Sequence, residues 1–402
     1  MAPAGNRIAL IDGLRGYFLV LMMSSHLAFQ GGAWALKLHH SQFAFVEDAQ
    51  GFVFLSGLVV GLTYARILAK RGPDVLWDKA SARVGELYRM VLLTLAVVMT
   101  MLFLVPDAAR IWGWQLGKLA QSPADNLGAA AAMLYQPAYL DILPQYMIYL
   151  LAAPFIVRAT ASGHGLRVMA ISGAIWFMAQ IGLQMPLVEA AEAGLASVVP
   201  GGTLRAFFNP MAWQLLFVSG LVLGAAAASG RLSADAILGP KHRDLALIAL
   251  GVVALFAGLR IVHGEGALDG ALGERFYKLL RREDLSLSYV VNFAALGYGV
   301  AWILHNAQEA TTPRAVALLG RGLRRFFALP FLVFLGRHSL QVYAFHVIVA
   351  YGVGAIDWHF GPFDEPSKTA IIIAAVASLG IPAAWHAANQ RRDLAARQVK
   401  VA

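Results

Sequence analysis

Three residues in the first apolar stretch, IDGLRGYFLVLMMSSHLAF, are of types that can do chemistry: Asp12, Arg15 and His26. Ionisable side chains are costly inside an apolar helix, so each is a candidate functional group. Arg15 and His26 are eleven residues apart. At 100° per residue they return to nearly the same face after about three turns, separated along the axis by about 16 Å. Asp12 lies one turn below Arg15 and is expected to pair with it. A cation at one depth can hold an anionic donor, while an imidazole further along the same face acts as a general base on a neutral acceptor. The plainer alternative is that Arg15 only snorkels to an interface and His26 makes an ordinary interhelical hydrogen bond.

A second set lies in PFLVFLGRHSLQVYAFHVIVA, with Arg337, His338, Ser339 and His346 in apolar surroundings. Ser339 and His346 are seven apart and share a helical face, whereas His338 lies elsewhere. In GFVFLSGLVVGL, Gly51, Gly57 and Gly61 allow close helix approach, and Ser56 either bonds a ligand or a neighbouring backbone. Six cations cluster in the loop from 66 to 89: Arg66, Lys70, Arg71, Lys79, Arg83 and Arg89. They suit phosphates of lipid headgroups or of a nucleotide-bearing donor such as coenzyme A; Arg83 and Arg89 border an apolar span. Asp141 with Gln145, and Asn209 with Trp213 and Gln214, flank other spans. Their aromatic neighbours read as an interfacial belt or as sugar-stacking platforms.

The elements that must position these groups are membrane helices. Of 402 residues, 59% are hydrophobic and 14% charged, about half the charged share of a soluble domain. That excludes a set of soluble domains and predicts an all-α integral membrane protein, one polytopic domain over 1–402. Ten spans are expected, at roughly 8–29, 49–69, 86–105, 142–160, 166–184, 211–229, 244–262, 286–305, 330–353 and 369–388. With both termini cytoplasmic, twenty Lys and Arg fall on the inner side against ten outside, as the positive-inside rule requires. The loop 260–285, with Arg260, Arg275, Lys278, Arg281 and Arg282, resists this assignment. Reading the first span as a signal peptide cleaved near Ala33-Trp34-Ala35 is disfavoured by Asp12 and Arg15. The net charge of +9 fits basic cytoplasmic loops, and no nucleic-acid partner is expected. There is no cysteine, so thiolate chemistry is excluded. No metal is expected either, because the histidines are scattered with no carboxylate at ligand spacing.

Five segments, in order, resemble the OpgC-like glucan succinyltransferases, within the wider acyltransferase family 3 of transmembrane acyltransferases. They are Asp12–Arg15 with Arg15, ten residues, then His26; FVFLSG at 52–57; DILPQYM at 141–147; FNPMAWQLLF at 208–217; and LGRHSLQVYAFH at 335–346. The resemblance spans nearly the whole chain. It implies a bacterial inner-membrane enzyme moving an acyl group from cytoplasmic acyl-CoA to a periplasmic glycan, often an osmoregulated glucan, with succinyl usual and acetyl possible. It implies His26 as the catalytic histidine, as base or acyl carrier, with Arg15 its motif partner and Arg83 close to the donor; Arg89 and Ser56, by their position and residue type, are further donor-binding candidates. Arg337, His346, Ser339, Gln214 and Arg282 are then candidates for orienting acyl group and acceptor. Acyl-CoA would be a substrate, with no permanently bound cofactor. Two departures stand out: Gln50 replaces a common glutamate, and a Lys…Arg…His pattern reads Arg282, Tyr289 and Asn292. The rival readings are a transporter or flippase for an anionic or glycan substrate, which moves it without covalent change, and a non-catalytic scaffold of a glycan-export complex.

Overall fold

A computed structural model describes residues 4–199, 202–264 and 279–399. Among these residues the fold is helical, with no strand beyond a single bridge between Tyr135 and Arg205. The main helices are α1 (Ala4–His26), α2 (Asp48–Leu104), α3 (Ile142–Ala161), α4 (Gly165–Gln180), α5 (Met185–Val198), α6 (Pro210–Ala228) and α7 (Arg243–Gly264). They continue with α8 (Leu287–Asn306), α9 (Arg314–Phe327), α10 (Pro330–Arg337), α11 (Ser339–Phe360), α12 (Glu365–Ser378) and α13 (Gly380–Val399).

Among the described residues, seven helical stretches are long and apolar enough to cross a membrane, or eight if α4 and α5, bent by 69°, form one broken span. The differences from ten expected spans have local causes. α1, which carries Asp12, Arg15 and His26, is not among them. The stretches 49–69 and 86–105 fall in one 57-residue element, α2. At about 1.5 Å per residue this is far longer than one crossing. It is two helices meeting at Gly72, whose φ of 82° is left-handed, followed by Pro73. The stretch 330–353 is broken at His338 into α10 and α11.

Small residues bring the helices together. Gly57 and Gly61 of α2 face the carbonyls of Phe217 and Leu221, while Gly220 and Gly224 of α6 face those of Phe54 and Leu58. A side chain at any of these would collide with backbone, so the two helices cross through reciprocal small-xxx-small pairs. On the other side of the bundle, Gly13 and Gly16 of α1 abut the backbone of Phe327 and Leu332, and Gly336 of α10 abuts that of Asp12. Around these crossings lies one core in which Trp112, Trp213, Tyr343 and Phe217 are almost fully enclosed.

Asp141 is buried at the entrance to α3, and its Oδ2 has no hydrogen-bond partner. Burial pushes its carboxyl up to about 7, against the opposing pull of nearby backbone N–H groups and Arg205.

Two outcomes test this packing. Gly57→Leu is expected to destabilise the fold by about 3 kcal/mol or more, because backbone rather than a mobile side chain must yield. Gly173→Ala, whose Cβ would meet nothing, changes stability by less than about 1 kcal/mol; thermal melts in detergent read both. The Asp141 carboxyl is raised in the folded state, so between its ordinary value of 3.8 and about 7 the folded chain holds the extra proton. Stability therefore falls as pH rises across that window. Asp141→Asn should flatten the dependence of melting midpoint on pH, and an unchanged slope would exclude this group as its source.

Candidate active site

α1 and α11 run side by side in the same direction and share their polar residues. From the middle of α1, Arg15 Nη2 donates to Ser339 Oγ at the start of α11, at 2.6 Å. Further along, His26 Nδ1 and His346 Nε2 are 2.9 Å apart. Eleven residues of α1 span about 16 Å and seven of α11 about 10 Å; the long arginine side chain covers the difference. The shared face of Arg15 and His26 thus meets the shared face of Ser339 and His346.

The hydrogen bonds fix the tautomers of the neutral imidazoles. His346 Nδ1 faces the carbonyl oxygen of Tyr343, which only accepts, so Nδ1 carries the proton. His346 Nε2 is then an acceptor, and His26 Nδ1 must donate to it. That leaves the lone pair of His26 on Nε2, which has no hydrogen-bond partner among the described residues. The ring of His26 stacks on Tyr139 with centroids 3.9 Å apart. Tyr139 has a φ of 70°, a strained conformation for an aromatic residue. The Tyr343 hydroxyl, donating to the Tyr139 carbonyl at 2.7 Å, helps hold it. Tyr343 therefore braces both the histidine pair and the ring that covers it.

Among the described residues Arg15 has no carboxylate partner. Asp12, expected to pair with it, instead lies 3.5 Å from Arg337 Nε; the tight contact of Gly336 with Asp12 puts the end of α10 nearer than the next turn of α1. The Arg15 guanidinium is 5.6 Å from the Phe52 ring and leaves Nε buried without a partner. Tyr146, Asp12 and Arg83 are the ionisable groups close enough to act on its charge. Arg83 is bound to Glu86 at 2.6 Å, while Arg89 is exposed on the same helix. Ser56 Oγ is buried with no partner.

At the other end of the site, Arg282 is half-exposed, 4.0 Å from Glu47 and 5.0 Å over the Phe207 ring. It is close enough to act electrostatically on both His26 and Tyr139. Of the basic loop 260–285, Arg281 pairs with Asp284, whereas Arg275 and Lys278 lie outside the described residues.

Other candidates are consumed structurally. Gln214 accepts from the Ser172 hydroxyl and donates to the Ser172 carbonyl, tying α6 to α4 rather than reaching the histidines. Trp213 is neither a belt residue nor an open platform. It is 1% exposed and its Nε1 donates to the carbonyls of Arg282 and Glu283. Asn209 caps α6, and Gln145 donates to the Phe208 carbonyl. The departure positions meet: Gln50 donates to the Tyr289 carbonyl, and Asn292, wholly buried, leaves both side-chain polar atoms unpaired. His338 turns away to His386, 2.9 Å from it.

Two features had no signal in the sequence. Tyr139 reads there as an interfacial aromatic. His39, His40 and Asp48, counted among scattered histidines, converge with their ligand-type atoms within 4.8 Å of one another. His39 and Asp48 are nine positions apart, and the turn His40–Gln42 lies between them.

Comparison with known proteins adds one finding. No curated protein and no solved structure matches this chain. The pattern of one family, described as OpgC protein, matches residues 7–391. The chain therefore belongs to the OpgC protein family.

Proposed function

We propose that this protein is an inner-membrane O-acyltransferase that moves an acyl group, succinyl in preference to acetyl, from cytoplasmic acyl-CoA to a hydroxyl of a periplasmic glycan. Membership of the OpgC family carries a glucan-modifying acyltransferase role, and the apolar helices suit a membrane protein. The observation that carries the finer reading is the α1–α11 seam. It sets a guanidinium with no carboxylate partner among the described residues about 10 Å along the seam from an imidazole whose Nε2 is left as a base.

Ten crossings with cytoplasmic termini follow if α1 counts as a span, α2 as two and the bent pair α4–α5 as one. Arg15 then lies towards the cytoplasm and His26 towards the periplasm. Arg15, with Arg83 nearby, holds the anionic donor. Arg282, close to His26 and Tyr139, is placed for a free succinyl carboxylate or an anionic acceptor. His26 Nε2 takes the proton of the acceptor hydroxyl as that oxygen attacks the thioester carbonyl. The C–S bond breaks, and the departing thiolate takes the proton back from the imidazolium. His346 keeps His26 in the required tautomer and acts as a positioning residue. The thioester already has a good leaving group, so orientation and one base supply much of the acceleration.

Three variants test this in proteoliposomes given labelled succinyl-CoA or acetyl-CoA and a panel of glucans. His26→Ala is expected to lower transfer by about 10²–10⁴-fold at matched folding. His346→Phe, which keeps the ring volume but removes the acceptor for His26 Nδ1, lowers kcat by about tenfold or more and leaves the KM for donor nearly unchanged. Arg15→Gln instead raises the KM for donor. Unaltered transfer by His26→Ala would remove the histidine from the chemistry. Glucan that crosses the bilayer without gaining label would favour the transporter reading.

A further inference from the structure

The loop between α1 and α2 brings together two imidazoles and a carboxylate that the proposed transfer does not use. His39 Nε2 is 3.0 Å from Asp48 Oδ2, and His40 Nε2 is 3.3 Å from Asp48 Oδ1. The first contact is an ordinary hydrogen bond. The second is not: His40 Nε2 and Asp48 Oδ1 are both buried and neither has a hydrogen-bond partner. The Asp48 side chain is only 6% exposed. A buried carboxylate oxygen facing a buried imidazole nitrogen without a shared proton is unfavourable on its own. It is, however, the arrangement expected of two ligands of one cation. Around a tetrahedral ion with bonds of about 2.0–2.1 Å, ligand atoms lie about 3.3 Å apart.

The surroundings complete the pattern. His39 Nδ1 accepts from the Ser41 backbone N–H at 3.2 Å and lies 2.8 Å from Ser41 Oγ, so two contacts to Ser41 hold the ring with Nε2 towards Asp48. Ser25 Oγ donates to Asp48 Oδ2 at 3.4 Å, steadying the carboxylate from the residue beside His26. The neighbouring cations are directed elsewhere, Arg282 to Glu47 and Arg260 to the Phe45 ring. Two histidines and one carboxylate, three ligands with a fourth position left over, suit a zinc-type divalent ion. We infer that His39, His40 and Asp48 form a binding site for a divalent transition-metal cation of the zinc type, which fastens the loop 33–47 to the start of α2. The site stands on its own geometry and does not depend on the acyl-transfer reading.

Metal content tests it directly. Full-length, tag-free protein in detergent is stripped with chelator, dialysed against micromolar zinc and assayed by elemental mass spectrometry. The expected result is about one zinc ion per chain, with retention reduced about tenfold or more in His40→Ala and in Asp48→Asn. His359→Ala, an exposed histidine elsewhere, should retain zinc as the wild type does. Cobalt loaded in place of zinc should give the intense visible bands of a four-coordinate ion. That measurement on the wild type decides the matter even if Asp48→Asn does not fold. Wild type without retained zinc, His40→Ala retaining as much as wild type, or cobalt giving only the weak bands of a six-coordinate ion would each overturn the inference.

Discussion

An ionisable side chain within an apolar helix has to find its partner on another helix, because neither lipid nor its own backbone can supply one. The site follows from that constraint. Arg15 and His26 occupy one face of α1, and α11 answers each in turn with Ser339 and His346. Two polar contacts at different heights hold the helices in register and prevent either from rotating, since a turn of one helix would break both at once. The histidine tautomers are fixed by the same arrangement, through the single backbone carbonyl of Tyr343. Function and helix registry are thus set by the same bonds.

Close approach is what lets these short contacts form. Gly13 and Gly16 let α1 lie against the backbone of the segment 327–332, and Gly336 lets α10 lie against α1 in return. The break at His338 matters for the same reason. It ends α10 beside Asp12, where Arg337 takes up the carboxylate, and starts α11 afresh with Ser339 directed at Arg15. An unbroken helix from 330 to 353, as the hydropathy suggests, would tie these two groups to one helical phase. The interruption lets successive residues serve different partners, with His338 going to His386 and Ser339 to Arg15.

Much of this was legible in the residues. Helical phase puts Arg15 with His26 and Ser339 with His346, and excludes His338 from that face. Periodicity says which residues share a face but not which helix that face meets, so the pairing of the two sets lay beyond it. The same limit explains Asp12: spacing favours a neighbour one turn away, yet a glycine contact with another helix offered a nearer cation. Gln214 and Trp213 illustrate the reverse error. A polar residue near a span end reads as functional until its partners, here Ser172 and the carbonyls of 282–283, are known. Tyr139 and the His39–His40–Asp48 group depend on turns and a strained backbone, features that carry no periodic signal.

His26 is the last residue of α1, so its position depends on the chain that leaves the helix as much as on the helix itself. That exit passes through Gly31 and Gly32, both with positive φ, and left alone would be free to swing. It is fastened on one side by Asp357, whose carboxylate accepts from the Gln30 backbone N–H at 2.7 Å. Lys368, only 5% exposed, donates to the carbonyls of Gln30 and Gly32, and Glu365 accepts from the Trp34 N–H. A buried ammonium is costly unless its donors are used; here backbone carbonyls and the Glu365 carboxylate use them. On the other side Asp48 reaches Ser25. The end of α1 is therefore gripped between the α11–α12 region and the start of α2. A small displacement of either anchor would move His26 relative to Tyr139 and His346. The loop following α1 serves to position the imidazole, and Asp357, Glu365 and Lys368, which fasten that loop from α11 and α12, belong to the site as much as the histidine pair does.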